Sequence, residues 1–357
     1  MRPDEFFFRL TPDRVLEAVE AAGFEPTGHC FPLNALENRV YDVRVHDRER
    51  DLEHHLVAKF YRPGRWSRET IAEEHAMLFR LQAHEIPVCA PLCFADGESL
   101  HAVDDIFYAL WPRTGGRSPD ELSDADVAVL GRLLARIHGV GESLALRHRP
   151  VLTAETAALE PLRFLDDEGF LPPSCAQRYR EAVLDIAGLY REWSDGVALQ
   201  PIHGDCHLGN LLRGDDGWFF LDFDDMLIGP AVHDVWMLLP GRDAEAERQR
   251  QLLLDAYREF RPLDPSMLRL VEPLRAFRFV SYAAWIARRW EDPAFPDAFP
   301  HFGTERYWEE ETRDLEKQLE RIRRGAPLET GAGGEGGLPR EKEAEGELSN
   351  KDFFWDI

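Results

Sequence analysis

An aspartate, an asparagine and a second aspartate stand at a fixed spacing in the middle of the chain, and this pattern constrains the fold more than any other feature. Asp205 and Asn210 are five positions apart, and Asp222 follows twelve residues later. Between them, the apolar runs 211–213 and 218–221 flank a turn rich in Gly and Asp, which predicts a β-hairpin. Because a hairpin returns the chain beside its start, we expect Asp222 to lie near Asn210.

This residue set suits a particular chemistry. Carboxylate and amide oxygens bind Mg²⁺, which keeps several waters and takes its other ligands from substrate phosphates. In phosphoryl transfer from Mg-ATP, one Asp accepts the proton of the attacking hydroxyl, while an Asn five positions on and a separate Asp hold the metal. We therefore predict ATP and Mg²⁺ as cofactors, Asp205 and Asp222 as catalytic residues, and Asn210 and Asp222 as metal ligands.

Two other interpretations of this segment are weaker. His203, Cys206 and His207 suggest zinc, but no second Cys/His pair stands at a recognised spacing. A single Asp is often only a turn residue, yet the ordered combination is far more specific than any one of its members. We expect His203 to fix the loop backbone.

Lys59 is predicted to anchor the nucleotide phosphates. It lies in the second of two short apolar runs, 40–45 and 56–61, which predict paired strands. A lone strand lysine is more often simply exposed, but a helix predicted at 67–83 directly follows and can supply an acidic partner. Glu74 is the preferred partner.

Glu73, next to that residue, is the alternative partner. The phosphates also require a covering loop, and no Gly-rich phosphate motif is present. We assign this role to the turn at 34–39, with Ala35 offering its amide and Asn38 tolerating unusual dihedral angles.

The remaining pattern predicts an α+β fold with two lobes. A strand at 106–111 runs into Pro112, a natural hinge between a small β-rich N-lobe (1–111, nucleotide-binding) and a larger helical C-lobe (112–325, with the catalytic loop and substrate site). The tail 326–357 holds eight acidic and three basic residues with six Gly and is expected to be disordered. Helices are predicted at 124–139, 174–194, 243–261, 264–290 and 304–324.

Composition excludes several classes of protein. The formal net charge is −24, from 42 basic and 66 acidic side chains, which argues against nucleic-acid binding and favours cationic substrates or basic protein segments. No apolar run is long enough to span a membrane, and no secretory signal stands at the N-terminus. Five Cys without a disulfide pattern fit reduced thiols. We expect a cytoplasmic monomer that does not bind membranes.

Longer motifs extend the pattern over residues 5–325. They are N-x-x-E-N-R-V-Y at 34–41, V-x-K-F-Y-R-P at 57–63, E-E-H at 73–75, H-G-D-C-H-x-G-N at 203–210, D-x-D-D-x-x-x-G-P-A-V at 222–232, D-x-W-M-L-L at 234–239 and R-R-W-x-D-P-A-F-P at 288–296. Together they resemble the aminoglycoside phosphotransferase and choline kinase superfamily. The family pattern has a Ser where this chain has Ala35, so a hydroxyl contact to ATP is lost there.

The resemblance implies a bilobal protein-kinase-like fold. Within the superfamily the motifs are most similar to those of the bacterial stress response kinases, which implies a serine/threonine protein kinase acting on protein substrates. Two alternatives stay open. One is a small-molecule kinase that phosphorylates a hydroxyl of an amino sugar, choline or a homoserine-like substrate, since fold does not fix substrate. The other is a non-catalytic nucleotide-binding scaffold.

Overall fold

An antiparallel sheet forms the N-terminal part of the chain. The computed structural model describes residues 7, 10–33, 35–48, 50–215 and 217–325. The five strands are ordered β1-β2-β3-β5-β4, and each neighbouring pair is antiparallel. The elements of this part are α1 (Pro12–Ala21), β1 (Glu25–Pro32), β2 (Arg39–Asp47), β3 (Leu52–Phe60), α2 (Arg68–Ala83), β4 (His101–Val103) and β5 (Ile106–Pro112).

Alternation along β2 and β3 separates the two faces of the sheet. Val43 and Val45 of β2, with Leu56 of β3, point into one small core that α1 covers. The intervening residues point to the other face, where Val40 stands opposite Lys59 in the strand register. Lys59 is therefore carried on the face turned away from the α1 core.

Helices dominate the rest of the chain. The first half contains α3 (Asp124–Glu142), a π-helical turn (Glu155–Leu159), α4 (Glu160–Asp167), α5 (Ala176–Trp193), β6 (Gln200–Ile202), a 3₁₀ turn (Leu208–Asn210), β7 (Leu211–Gly214) and β8 (Gly217–Phe220). The second half contains a 3₁₀ turn (Phe223–Asp225), β9 (Leu227–Gly229), α6 (Val232–Leu238), α7 (Ala244–Arg258), a 3₁₀ segment (Pro265–Leu270), α8 (Val271–Arg288), α9 (Ala294–Ala298) and α10 (Glu305–Arg323).

One large apolar core holds these helices together, and it includes the fully buried Trp236 and Trp308. Met77, Leu78 and Leu81 of α2 belong to the same core. Helix α2 therefore ties the sheet to the helical part.

The strands predicted at 40–45, 56–61 and 106–111 are confirmed, as is the hairpin of β7 and β8. The helical stretch predicted at 264–290 is divided in two, because a 3₁₀ segment precedes an α-helix that begins at Val271. Pro273 explains the break: proline has no backbone N–H and is tolerated only in the first turn of an α-helix. The domain boundary at 111/112 stays a prediction, and the tail 326–357 lies outside the described residues.

Candidate active site

A cleft of about 1740 Å³ lies between the sheet and the helical part. Every predicted site residue lines it: Ala35, Asn38, Lys59, Glu74, Asp205, Asn210 and Asp222. Residues separated by up to 187 positions in the sequence therefore meet around one cavity. Asn34, the first residue of the predicted phosphate turn, lies outside the described residues.

The buried carboxylate of Asp234 holds the backbone of the loop that carries Asp205. Asp234, with no exposed surface, accepts hydrogen bonds from the backbone N–H groups of His203 and Gly204 at 2.8 and 2.9 Å. Its Oδ2 also lies 2.9 Å from Nε2 of His138. Several hydrogen bonds to one ionised acceptor lock the backbone where the loop leaves β6.

Gly204 is required at the turn of this loop. Its φ is +82°, a region that favours glycine, and an added Cβ would overlap the carbonyl oxygen of Asp225. His203 fixes the other side, because its Nε2 lies 2.8 Å from the carbonyl oxygen of Leu221. The expected backbone role of His203 is thus confirmed.

Asp205 is held as a carboxylate. Its Oδ1 lies 2.9 Å from Nη2 of Arg278 on α8, and its Oδ2 lies 3.3 Å from Nε2 of His207. Asn210 donates from Nδ2 to the same Oδ2 at 3.2 Å and to the carbonyl oxygen of Asp205 at 2.9 Å. Burial favours the neutral acid, but Arg278 and His207 outweigh it and hold the pKa of Asp205 well below its ordinary value. The side chain is ionised at neutral pH and able to accept a proton.

The hairpin returns Asp222 to the loop as the spacing predicts. The N–H of Leu221 donates to the carbonyl oxygen of Asn210 at 2.9 Å, which places Asp222 one residue from the point of contact. Asp222 has a φ of +51°, uncommon for a residue other than glycine. Its side chain is 51% exposed, so one carboxylate oxygen remains accessible to a ligand in the cleft.

Lys59 pairs with aspartates rather than with Glu74. Its Nζ lies 2.8 Å from Oδ1 of Asp222 and 3.6 Å from Oδ1 of Asp224. Burial favours the neutral amine, but these two carboxylates outweigh it and raise the pKa of Lys59. Within the described part of the chain, Glu74 has its ion pair with Arg149 instead, at 3.3 Å.

The alternative partner, Glu73, also has other contacts. Its carboxylate accepts backbone N–H groups of residues 147–149. Glu74 is 1% exposed, and burial raises its pKa to about 7. The expected Lys59–acid pair on α2 is therefore replaced, since Asp222 and Asp224 reach the lysine directly. A nucleotide-binding role for Glu74 stays a prediction.

Asn38 supports Asp224 through its side-chain amide. Its Nδ2 donates to Oδ2 of Asp224 at 3.0 Å, and its Oδ1 accepts the backbone N–H of Arg62 at 3.1 Å. Asp224 also pairs with Arg65 at 2.7 Å. Lys59, Arg65 and Asn38 together outweigh burial and lower the pKa of Asp224 to about 2. The side chain of Asn38 thus supports Asp224, and a nucleotide-binding role for the turn that carries it stays a prediction.

Ala35 lines the cleft near this support. Because it has no polar side-chain atom, its expected contribution is its backbone amide, which stays a prediction.

A set of charged residues missed by the spacing argument joins the two sides of the cleft. We call Glu37, Arg62, Arg289 and Asp292 the latch. Glu37 accepts from Arg289 at 2.8 Å and from the indole N–H of Trp285 at 2.6 Å. Arg62 pairs with Asp292 at 2.9 Å. All four latch residues stand inside motifs that carry the family resemblance, which was the available signal.

The sequence and the fold agree on the class of protein. A family model described as "Phosphotransferase enzyme family" matches residues 31–270. That match spans more than half of the chain, and the chain belongs to this family.

The relatives are more specific. Stress response kinase A of Escherichia coli (strain K12) is 38% identical over 313 residues, which cover 87% of this chain and 93% of the relative. "Serine/threonine protein kinase RdoA" of Salmonella typhimurium is 38% identical over 320 residues, which cover 89% of this chain and 95% of the relative. This chain is therefore similar to these kinases over nearly their whole length.

Solved structures confirm the fold class. The amicoumacin kinase hAmiN, in complex with AMP-PNP and Ca²⁺, superposes with a TM-score of 0.65 at 19% identity, covering 89% of this chain and 95% of the other. A microcompartment-associated aminopropanol kinase gives 0.65 at 20% identity, with 87% and 99% covered. At these identities the likeness shows the bilobal fold alone. Within the described residues, no helix has the length and apolar character needed to cross a membrane.

Proposed function

We propose that this chain is an ATP- and Mg²⁺-dependent serine/threonine protein kinase of the bacterial stress response. The observation that carries the proposal is the meeting of Asp205, Asn210 and Asp222 with Lys59 in one cleft. The names of the 38% identical relatives support the acceptor class and the cellular role. The five cysteines are free thiols, in keeping with a cytoplasmic location.

The reaction is in-line transfer of the γ-phosphoryl group. Asp205 accepts the proton of the acceptor hydroxyl while that oxygen forms its bond to the γ-phosphorus, and the bond to the bridging oxygen of ADP breaks. Such proton transfer contributes about 10²–10⁴-fold to a rate. Lys59 offsets negative charge on the phosphates, and Asp234 keeps the loop in position.

Asn210 and Asp222 fit a magnesium ion. The Nδ2 of Asn210 is used by Asp205, and its amide oxygen makes no hydrogen bond within the described part of the chain. Asp222 is half exposed and engages Lys59 through one oxygen. The two side chains thus offer the hard oxygen ligands that Mg²⁺ prefers. When bound there, the ion would neutralise charge on the nucleotide phosphates.

Charge in the cleft supports a protein hydroxyl over a cationic small molecule as acceptor. The net charge of −24 predicts an acidic cleft. In the structure, however, Arg278 pairs with Asp205, and Arg65 and Lys59 neutralise Asp224. An ammonium group placed beside Asp205 would face the guanidinium of Arg278 at close range. The net negative charge of the whole chain therefore does not predict the charge around Asp205, where basic side chains pair with the acids.

Transfer of label from [γ-³²P]ATP tests the proposal. The purified protein is incubated with Mg²⁺ and either a generic protein acceptor or one of choline, homoserine and an amino sugar, with Asp205→Asn as the inactive control. Acid-stable label on Ser or Thr of the protein, absent with the variant, is expected. Label confined to a small molecule would favour the alternative kinase, and ATP binding without any transfer would favour a scaffold.

A further inference from the structure

A second cluster of ligand-type side chains lies on the cleft face of the sheet, outside the phosphoryl-transfer site. His29 of β1, Asp42 of β2 and His55 of β3 each offer one ligand atom, and these atoms all lie within 4.8 Å of one another. We propose that they form a site for a divalent transition metal ion, with Zn²⁺ as the natural probe. The proposal does not depend on the proposed kinase function.

The ligand types select the class of ion. Two imidazole nitrogens and one carboxylate oxygen suit zinc, nickel or cobalt, whereas Mg²⁺ prefers an all-oxygen shell. Zinc sites with three protein ligands leave a fourth position for water. With metal–ligand bonds of about 2.0–2.1 Å, tetrahedral ligands lie about 3.3 Å apart. The ligand atoms lie within 4.8 Å of one another, so rotations of the side chains would bring them to this spacing.

The backbone of β1 is shaped to bring His29 into the cluster. Pro26 pairs with Val45 and Cys30 with Val43, so three residues of β1 oppose one residue of β2. Gly28 takes a φ of +92° within this bulge. Bulges re-aim side chains at particular positions of a sheet.

Hydrogen bonds within the described residues fix the side chains of Asp42 and His55, but not that of His29. Nδ1 of His55 lies 2.6 Å from Oδ1 of Asp42, and Arg113 engages the other oxygen of Asp42. Asp42 is 5% exposed and thereby fixed in orientation, with Oδ1 directed at the imidazole. Within the described residues, His29 makes no hydrogen bond or ion pair and packs edge-on against His55, with ring centroids 5.6 Å apart. A metal ion would give this third side chain its partner.

The site is separate from the phosphoryl-transfer centre. His55 precedes Lys59 by four residues on β3, which corresponds to about 13 Å along a strand. Arg113, which engages Asp42, also lines the cleft. Zinc occupancy of the site can therefore be measured without nucleotide, in a buffer whose excess Mg²⁺ competes for the oxygen ligands of Asn210 and Asp222.

Zinc binding in excess Mg²⁺ tests the proposal. Competition with a chromophoric chelator gives the affinity for wild type, His29→Ala and His55→Ala, and the visible spectrum of bound Co²⁺ reports the coordination. The matched control is His54→Ala, because His54 neighbours His55 on β3 but belongs to the exposed side chains outside the cluster. His29→Ala is the main variant, since it removes no hydrogen bond and should leave the metal-free melting temperature unchanged.

We expect one tight equivalent in wild type and in His54→Ala, and affinities at least tenfold weaker in His29→Ala and His55→Ala. The Co²⁺ spectrum should change in the same two variants. Absence of zinc binding by wild type would overturn the proposal. Equal affinity in His29→Ala and His54→Ala would overturn it as well, because the ion would then sit elsewhere.

Discussion

Two buried aspartates beside the cleft, Asp234 and Asp224, are held in opposite ways. Asp234 accepts two backbone N–H groups and contacts His138, all within the helical part. Asp224 instead engages Lys59, Arg65 and Asn38 from the sheet part. The first contact set stays on one side of the cleft and uses hydrogen bonds, whereas the second crosses the cleft and consists largely of charge. The comparison teaches that the loop carrying Asp205 is held from its own side of the cleft, whereas the sheet is held to Asp224 by ion pairs that cross the cleft.

Asp234→Asn should have the largest effect on stability. The substitution replaces one acceptor oxygen by a donor that faces a backbone N–H, and hydrogen bonds to a charged group contribute about 1.5–3 kcal/mol each. We expect the free energy of unfolding to fall by about 3 kcal/mol or more, and kcat to fall with it. Urea unfolding and steady-state kinetics measure both. Asp297→Asn, at an exposed position, is the control; a similar response of the two variants would contradict the bracing role.

Asp224→Asn should lower stability by an intermediate amount, and bound nucleotide should restore part of that loss. Lys59 and Arg65 keep Asp222 and Asp225 as counter-ions, so we expect a loss of about 2 kcal/mol, below the usual cost of breaking a buried pair. Bound triphosphate would restore negative charge beside the two cations. Mg-ATP should therefore raise the melting temperature of Asp224→Asn more than that of wild type or Asp234→Asn. Equal shifts of the melting temperature in all three proteins would contradict the proposed difference between Asp224 and Asp234.

Glu74→Gln tests how a third buried acid beside the cleft makes stability depend on pH. Burial raises the pKa of Glu74 in the folded chain to about 7, above the ordinary 4.5, so the folded state holds more protons than the unfolded state between these values. Wild-type stability should fall relative to the variant as the pH rises from about 4.5 to 7, by up to about 3 kcal/mol. Denaturant unfolding at pH 5 and pH 8 measures the difference.

The control for this pH effect is Glu142→Gln. Arg261 lowers the pKa of Glu142, which lies on the surface. Its contribution to stability is therefore present above the unfolded pKa and does not decline toward neutral pH. A pH-independent difference between wild type and Glu74→Gln would show that Glu74 is ionised throughout.

Glu37→Gln tests the latch and should have the smallest effect. The neutral glutamine oxygen can still accept from Arg289, and Arg62 and Arg65 keep Asp292 and Asp224 as partners, so we expect a loss of about 1 kcal/mol in stability, the contribution of one ordinary hydrogen bond. Release of a fluorescent ATP analogue should become several-fold faster, because the attachment of the loop at 35–38 to Trp285 and Arg289 is weakened. Stopped-flow fluorescence measures the release rate of the analogue from wild type, Glu37→Gln and the exposed control Glu53→Gln. Unchanged release in Glu37→Gln would remove any gating role of the latch.

The part of the site that contains Asp205, Asn210 and Asp222 was predictable because its geometry is local. Asn210 follows Asp205 by five positions, and a hairpin of known turn chemistry carries the chain to Asp222. Local patterns of this kind fix backbone direction without knowledge of the rest of the fold.

The ion pairs that Lys59 makes across the cleft were not predictable from sequence spacing. Lys59 and Asp222 are 163 positions apart, and which acid meets the lysine depends on how α2 docks on the large core. The sequence pattern favours Glu74, but Arg149 occupies that carboxylate. Residues far apart in the chain meet through tertiary packing, which periodicity does not encode.

The most direct test of the account is a paired measurement on Asp205→Asn: affinity for Mg-ATP, and transfer of label from [γ-³²P]ATP to a protein acceptor. The account predicts near wild-type nucleotide binding, because Lys59, Asn210 and Asp222 are unchanged, together with transfer slower by about 10²–10⁴-fold. Transfer by Asp205→Asn at the wild-type rate would contradict the assignment of the base and the mechanism built on it.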